Sequence, residues 1–255
     1  MSTILHEGKK DKLNYFVCSN RDEMGKLAAQ FAANKIKEML AIKDEVRIIF
    51  ACAPSQNETL HYLTEDDEID WSRIVGFHMD EYIGLPADSD QRFSIYIENH
   101  LVNKVKMKEF HFIDGTKDAA KMEELYTTLL TEKPIDLVCL GIGENGHIAF
   151  NDPPVADFND PQMVKVVELD EYSRRQQVND GCFQQIQDVP THALTLTIPA
   201  LTSASTMVCT VPGPTKKEAV SNVLHDSIST ACPATILREH NDAYLVLDKE
   251  AYGGE

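Results

Sequence analysis

His147 lies in the string LGIGENGHIAFNDPP (residues 140–154), with Asn145 before it and Asp152 after it. Histidine exchanges protons near neutral pH, and a neighbouring carboxylate fixes its tautomer and favours its charged form. Gly141, Gly143 and Gly146 in the same string permit tight turns and close approach of backbone to a ligand. A dinucleotide fingerprint does not fit, because it would follow the chain's first strand and carry an acid roughly twenty positions on. A second constellation is the acid pair Asp80–Glu81 in GFHMDEYIGLP (76–86). A third is PGPTKKE (212–218), where Gly213, Thr215 and Lys216 open a predicted helix. A helix N-terminus backed by an ammonium suits a phosphate. A fourth, APSQNE (53–58), brings the polar residues Ser55, Gln56 and Asn57 together. No His/Cys cluster has metal-ligand spacing, and neither a metal nor another cofactor is expected.

These strings sit where an α/β fold needs them. Short β-rich runs cover Asn14–Cys18, Val46–Ala53, Arg73–Met79, Glu109–Ile113, Ile135–Ile142, Met163–Leu169, His192–Thr197, Thr206–Val211 and Ala243–Leu247. Helical patterns fall between them. One follows Ser19 or Asn20 as N-cap, with Met24, Leu27, Ala28, Phe31, Ile36 and Met39 on one side. Others are KDAAKMEELYTTLL and TKKEAVSNVL. VRIIFACA and IDLVCLGI are apolar throughout, as parallel strands covered on both faces must be. The expected fold is therefore a three-layer α/β/α sandwich around a doubly wound, largely parallel, Rossmann-like sheet, in one domain over residues 1–255. Ligands in that architecture bind beyond the carboxyl ends of the strands, which is where all four strings lie.

The formal net charge of −17 disfavours nucleic acid and anionic membranes as partners. It also means that an anionic substrate must be held by a locally built positive site. The six cysteines form no C-x-x-C pair and read as buried small hydrophobes in a reducing compartment. The N-terminal MSTILHEGKKDKLN has no apolar leader core and no run reaches transmembrane length, so a cytoplasmic protein is expected.

LGIGENGHIAFNDPP resembles the G-x-G-x-[DN]-G-H-I-x-F-N-E-P signature of the glucosamine-6-phosphate deaminase family, and GFHMDEYIGL resembles that family's M-D-E-Y motif. The likeness runs more weakly through TKKEAV and CPATILREH. It implies an aldose–ketose isomerisation coupled to loss of ammonia, from glucosamine 6-phosphate to fructose 6-phosphate. On that reading His147, supported by Asn145 and Asp152, handles the proton of ring opening. Asp80 matches the family's base for proton transfer between C2 and C1, and Glu81 the second acid of the motif. Successive side chains of an extended segment face opposite ways, so one acid is expected at the site, and Asp80 is preferred. Lys216 matches a phosphate-binding lysine, with Gly146, Ser55, Gln56 and Asn57 as further candidates around the substrate. Arg174, or its neighbour Arg175, falls in the region where the family uses an arginine for the same phosphate. The likeness leaves self-association open, since members differ in it.

Three positions depart from the family. Its glycine-rich T-G-G-[ST]-P turn is replaced by Ala53-Pro54-Ser55-Gln56-Asn57, where Pro54 supplies no amide hydrogen. Asn145 stands where many members have Asp. Asp152 replaces Glu and is shorter by roughly 1.5 Å of bond length, so the NDPP backbone must compensate or the contact is lost. A different amino sugar phosphate, such as galactosamine 6-phosphate, is the nearest alternative substrate. A 6-phosphogluconolactonase would follow its histidine with another segment and has no need of Asp80. A non-catalytic sugar-phosphate sensor has no need of Asp80 and His147 together.

Overall fold

The computed structural model describes residues 4–254. Residues 1–3, the start of the stretch read for a leader, and residue 255 lie outside the described residues. Strands β1 (Ile4–Lys10) and β2 (Leu13–Cys18) form a hairpin, followed by α1 (Arg21–Leu40), β3 (Val46–Phe50), α2 (Asn57–Thr64), β4 (Ile74–His78), β5 (Asp80–Tyr82), α3 (Phe93–Ile97), β6 (Glu109–His111) and α4 (Ala119–Thr131). Then come β7 (Leu137–Leu140), β8 (Val164–Glu168), α5 (Glu171–Asn179), β9 (His192–Leu196), α6 (Ile198–Thr202), β10 (Thr206–Val211), α7 (Lys217–His225), β11 (Ala243–Asp248) and α8 (Lys249–Tyr252).

The large sheet has eight strands in the order β1-β2-β11-β10-β7-β3-β4-β6, all parallel except β1. Its central strands are buried along their whole length, and consecutive residues feed opposite cores. Ile49, Val138, Leu140 and Cys209 join α4 and α7 on one face. Ile48, Phe50, Leu137 and Val208 join α1 and α2 on the other. Two helical layers on one sheet follow directly from strands that carry no polar face. Helix α1 starts where the Asn20 side chain accepts the Glu23 amide hydrogen at 2.9 Å, and it buries Met24, Leu27, Ala28, Ala32 and Ile36.

Two expectations need correction. The runs at 163–169 and 192–197 do not enter the large sheet. They form a separate antiparallel sheet of three strands, β5-β9-β8, in which Asp80 pairs with Thr195 and Tyr82 with Ala193. Their composition explains this, because Lys165 and Glu168 interrupt the apolar run of β8, whereas a strand covered on both faces is apolar throughout. Residues 4–10, which lie outside every run read as β-rich, form the antiparallel edge strand. Their burial pattern is almost wholly exposed, so no core signal marks them. All six cysteines are free thiols, and five of them are buried. No helix among the described residues is long and apolar enough to cross a membrane.

Candidate active site

Four neighbouring strands, β10, β7, β3 and β4, end at one rim of the large sheet. The segments leaving them enclose a cleft of about 330 Å³, whose walls include Ser55, Asp80, Gly141, Gly143, His147, Gln176, Asp180, Thr215 and Lys216. Its size suits a small polar ligand.

The His147 loop is held from beneath. Its Nδ1 lies 2.7 Å from Asn145 Oδ1, 3.0 Å from Asp152 Oδ1 and 3.0 Å from Ser173 Oγ. The Asn145 amide in turn donates to Asp152 at 2.9 Å, and the Ser173 hydroxyl donates to the same carboxylate oxygen. A hydrogen on Nδ1 therefore meets only acceptors that hold it, which leaves Nε2 as the nitrogen available to a ligand. Burial alone would raise the Asp152 carboxyl. The charge of His147 and hydrogen bonds from His147, Asn145 and Ser173 outweigh it and hold Asp152 at about 2. Asp152 thus reaches His147 despite its missing methylene. Ser173, which the sequence did not single out, completes the cluster. Glycine is required at 143 because a Cβ there would sit 2.1 Å from His147 Cε1. It is required at 146 because the backbone has φ +84° and a Cβ would meet Cys232 Sγ at 2.5 Å. Gly146 therefore shapes the loop and does not line the cleft.

Asp80 and Glu81 face opposite sides of β5. Asp80 lines the cleft, 7% exposed, and burial reinforced by the charge of Glu81 raises its carboxyl well above the usual range. Glu81 is fully buried away from the cleft and accepts the amide hydrogens of Tyr82, Phe93 and Ser94 at 2.9, 3.0 and 2.9 Å. It fastens β5 to the start of α3, with Arg92 Nε at 3.7 Å from its carboxylate. Glu81→Ala is expected to lower stability by about 3 kcal/mol or more, since it strands three buried amide donors, while Arg92 keeps Asp114 at 3.0 Å. A urea titration checks this. A variant as stable as the parent yet inactive would instead put Glu81 in the chemistry.

The opposite end of the cleft carries Lys216, 5% exposed, whose ammonium has no hydrogen-bond or ion-pair partner among the described residues. Burial lowers its affinity for the proton, against the nearby Asp180 and Glu144 carboxylates. Its turn is fixed by the Gly213 amide, which donates to both Asp248 oxygens at 3.0 Å. Lys217 is exposed. Ser55 lines the cleft, but Gln56 and Asn57 do not. The Gln56 amide donates to the carbonyl of Leu140 at 3.2 Å, and Asn57 Oδ1 accepts from Tyr96 at 2.7 Å. Arg174 is also absent from the cleft wall. Its Nη2 is taken by the carbonyls of Ile186 and Val189 at 2.8 and 2.9 Å, while Arg175 pairs with exposed Glu171.

Reading the sequence overlooked the polar wall made by α5. Ser173, Gln176, Gln177 and Asp180 recur at helical spacing, and the first three are buried. That stripe was visible as polar residues where a packed helix puts apolar ones. Arg21, at the first position of α1, was overlooked too, because an N-terminal helix residue carries no local signal of what it faces. Among the described residues, no cluster of His, Cys, Asp or Glu is arranged to hold a metal ion.

This fold is shared with solved structures of glucosamine-6-phosphate deaminase and 6-phosphogluconolactonase. The profile of the family of glucosamine-6-phosphate isomerases and 6-phosphogluconolactonases matches residues 19–246, and the chain belongs to it. A glucosamine-6-phosphate deaminase of Bacillus thuringiensis (strain Al Hakam) is 36% identical over 188 residues, covering 72% of this chain and 69% of that protein. The solved structure of a monomeric glucosamine-6-phosphate deaminase superposes with a TM-score of 0.83 at 27% identity, over 96% of this chain and 100% of the other. The 6-phosphogluconolactonase of Trypanosoma brucei shares the fold, with a TM-score of 0.76 at 19% identity over 96% and 98% of the two chains.

Proposed function

We propose that the chain is a glucosamine-6-phosphate deaminase, a single catalytic domain converting glucosamine 6-phosphate and water to fructose 6-phosphate and ammonia. The observation that carries this reading is the meeting of Asp80 and His147 in one cleft that also holds a buried lysine without a hydrogen-bond or ion-pair partner among the described residues. His147 Nε2 takes the proton of the anomeric hydroxyl and returns one to the ring oxygen, which opens the pyranose. Asp80 then removes the C2 proton and delivers it to C1. The resulting ketose imine adds water and expels ammonia. A carboxyl raised by burial suits this step, because it is a stronger base once ionised. Lys216, Ser55 and Thr215 bind the phosphate.

Lactone hydrolysis is disfavoured by Asp80, for which that reaction has no use. The test is a panel of glucosamine, galactosamine and mannosamine 6-phosphates with 6-phosphogluconolactone, following ammonia and ketose phosphate together. Equimolar release from glucosamine 6-phosphate, faster than from the other sugars, is the expected result. Preference for another hexosamine would move the substrate, and lactone hydrolysis without ammonia release would end the reading.

A further inference from the structure

The chain lacks the glycine turn that would wrap a phosphate in amides, and Arg174 and Arg175 are engaged elsewhere. Arg21 is the arginine that lines the cleft among the described residues. Its Nε donates to Glu58 Oε2 at 2.8 Å and its Nη2 donates to the Pro54 carbonyl, while Nη1 has no partner among the described residues. Glu58 and Pro54 therefore clamp two corners of the planar guanidinium and leave the third to the cleft. Pro54, the residue that removed an amide donor from the turn, is the one whose carbonyl holds Arg21.

The turn that Arg21 braces also has a counterpart. A-P-S-Q-N-E after β3 and G-P-T-K-K-E after β10 share the pattern Pro-[Ser/Thr]-x-x-Glu, and each forms one 3-10 turn that runs into a helix. Strands β3 and β10 flank β7 on either side, so the two turns stand about 10 Å apart across the end of one strand. Ser55 and Thr215 both line the cleft. The Ser55 hydroxyl accepts from Gln56 Nε2 at 3.2 Å, which leaves its own hydrogen to donate. Lys216 stands on one turn and Arg21 behind the other.

Resting on the sugar-phosphate reading above, we propose that Arg21 binds the substrate phosphate opposite Lys216 and replaces the missing glycine turn, the two proline-led turns forming a matched clamp. Glu58, Asp180 and Glu144 are the acids near these two cations. Glu58 aims the guanidinium, and Asp180 and Glu144 lie on the Lys216 side.

The experiment compares the parent with Arg21→Ala, Arg21→Gln, Arg21→Lys and Lys216→Ala. It measures KM and kcat for glucosamine 6-phosphate and the dissociation constant of inorganic phosphate by calorimetry. Arg21→Ala and Arg21→Gln should raise KM and weaken phosphate binding by about 10-fold or more, with kcat changed little. Arg21→Lys should recover part of the loss. Arg21→Gln keeps a donor for the Pro54 carbonyl and decides the matter if Arg21→Ala fails to fold. Parent-like phosphate binding in the Arg21 variants, with loss in Lys216→Ala, would overturn the role of Arg21 and leave the phosphate reading standing. Undiminished binding in all four variants would remove that reading as well.

Discussion

Asp80→Asn is expected to lower turnover of glucosamine 6-phosphate by about 10²- to 10⁴-fold, the usual contribution of a positioned general base, and to make the folded protein more stable at neutral pH. Both effects have one source. Burial and the neighbouring Glu81 raise the Asp80 carboxyl well above its ordinary value, so the folded state resists an ionisation that the unfolded chain accepts readily. With a raised folded value, the parent carries no such penalty below about pH 4, where the carboxyl is protonated in both states. The penalty grows as pH rises from there to the folded value. The gain from asparagine should therefore be absent in acid and appear toward neutrality, as a higher thermal midpoint against pH. Solvent deuterium exchange into an open-chain substrate analogue should be lost in the same variant. Exchange at the normal rate would assign the proton transfer to another group.

His147→Gln should cost turnover by a similar factor of about 10²–10⁴, through a different step. Ring opening fails, yet Asp80 remains, so exchange into the open-chain analogue should continue. The variant also has a signature in stability. His147 is among the groups that hold the Asp152 carboxyl down at about 2. A depressed folded value stabilises the protein above roughly pH 4, and that contribution is lost as pH falls toward 2. It is about 2 kcal/mol for a shift of this size. Without the imidazole, the acid loss of stability should shrink and move upward in pH. Acid denaturation profiles indistinguishable from the parent's would mean that His147 and Asp152 are not coupled.

The residues that meet in the cleft were legible because they are carried by contiguous strings at the ends of apolar strands. Asp80, His147, Ser55 and Lys216 needed no knowledge of the fold beyond which rim each strand ends on. What was not legible depends on directions that sequence does not encode. Gln56 and Asn57 sit in the expected turn, but one side chain reaches down to the carbonyl of Leu140 and the other accepts from Tyr96. Arg174 and Ser173 are adjacent on α5, yet Ser173 meets His147 while Arg174 is drawn to two loop carbonyls. One residue is about 100° around a helix, enough to separate site from scaffold. The small sheet was missed for another reason. Strands of different sheets look alike in sequence unless their polar interruptions are weighed, and Lys165 and Glu168 were that clue.

That small sheet sets the spacing of Asp80 and His147. Thr195 pairs with Asp80 across β9 and β5, and its hydroxyl accepts the amide hydrogen of Phe150, three residues beyond His147. One threonine thus ties the strand of Asp80 to the loop of His147, independently of the eight strands below. Those helices and connections of the large sheet that carry no cleft residue are free to change in length without moving Asp80 against His147. A slip of one residue between β5 and β9, by contrast, would swing Asp80 out and Glu81 in. The tolerance for sequence change should thus be divided unevenly, broad over most of the scaffold and very narrow along three short strands.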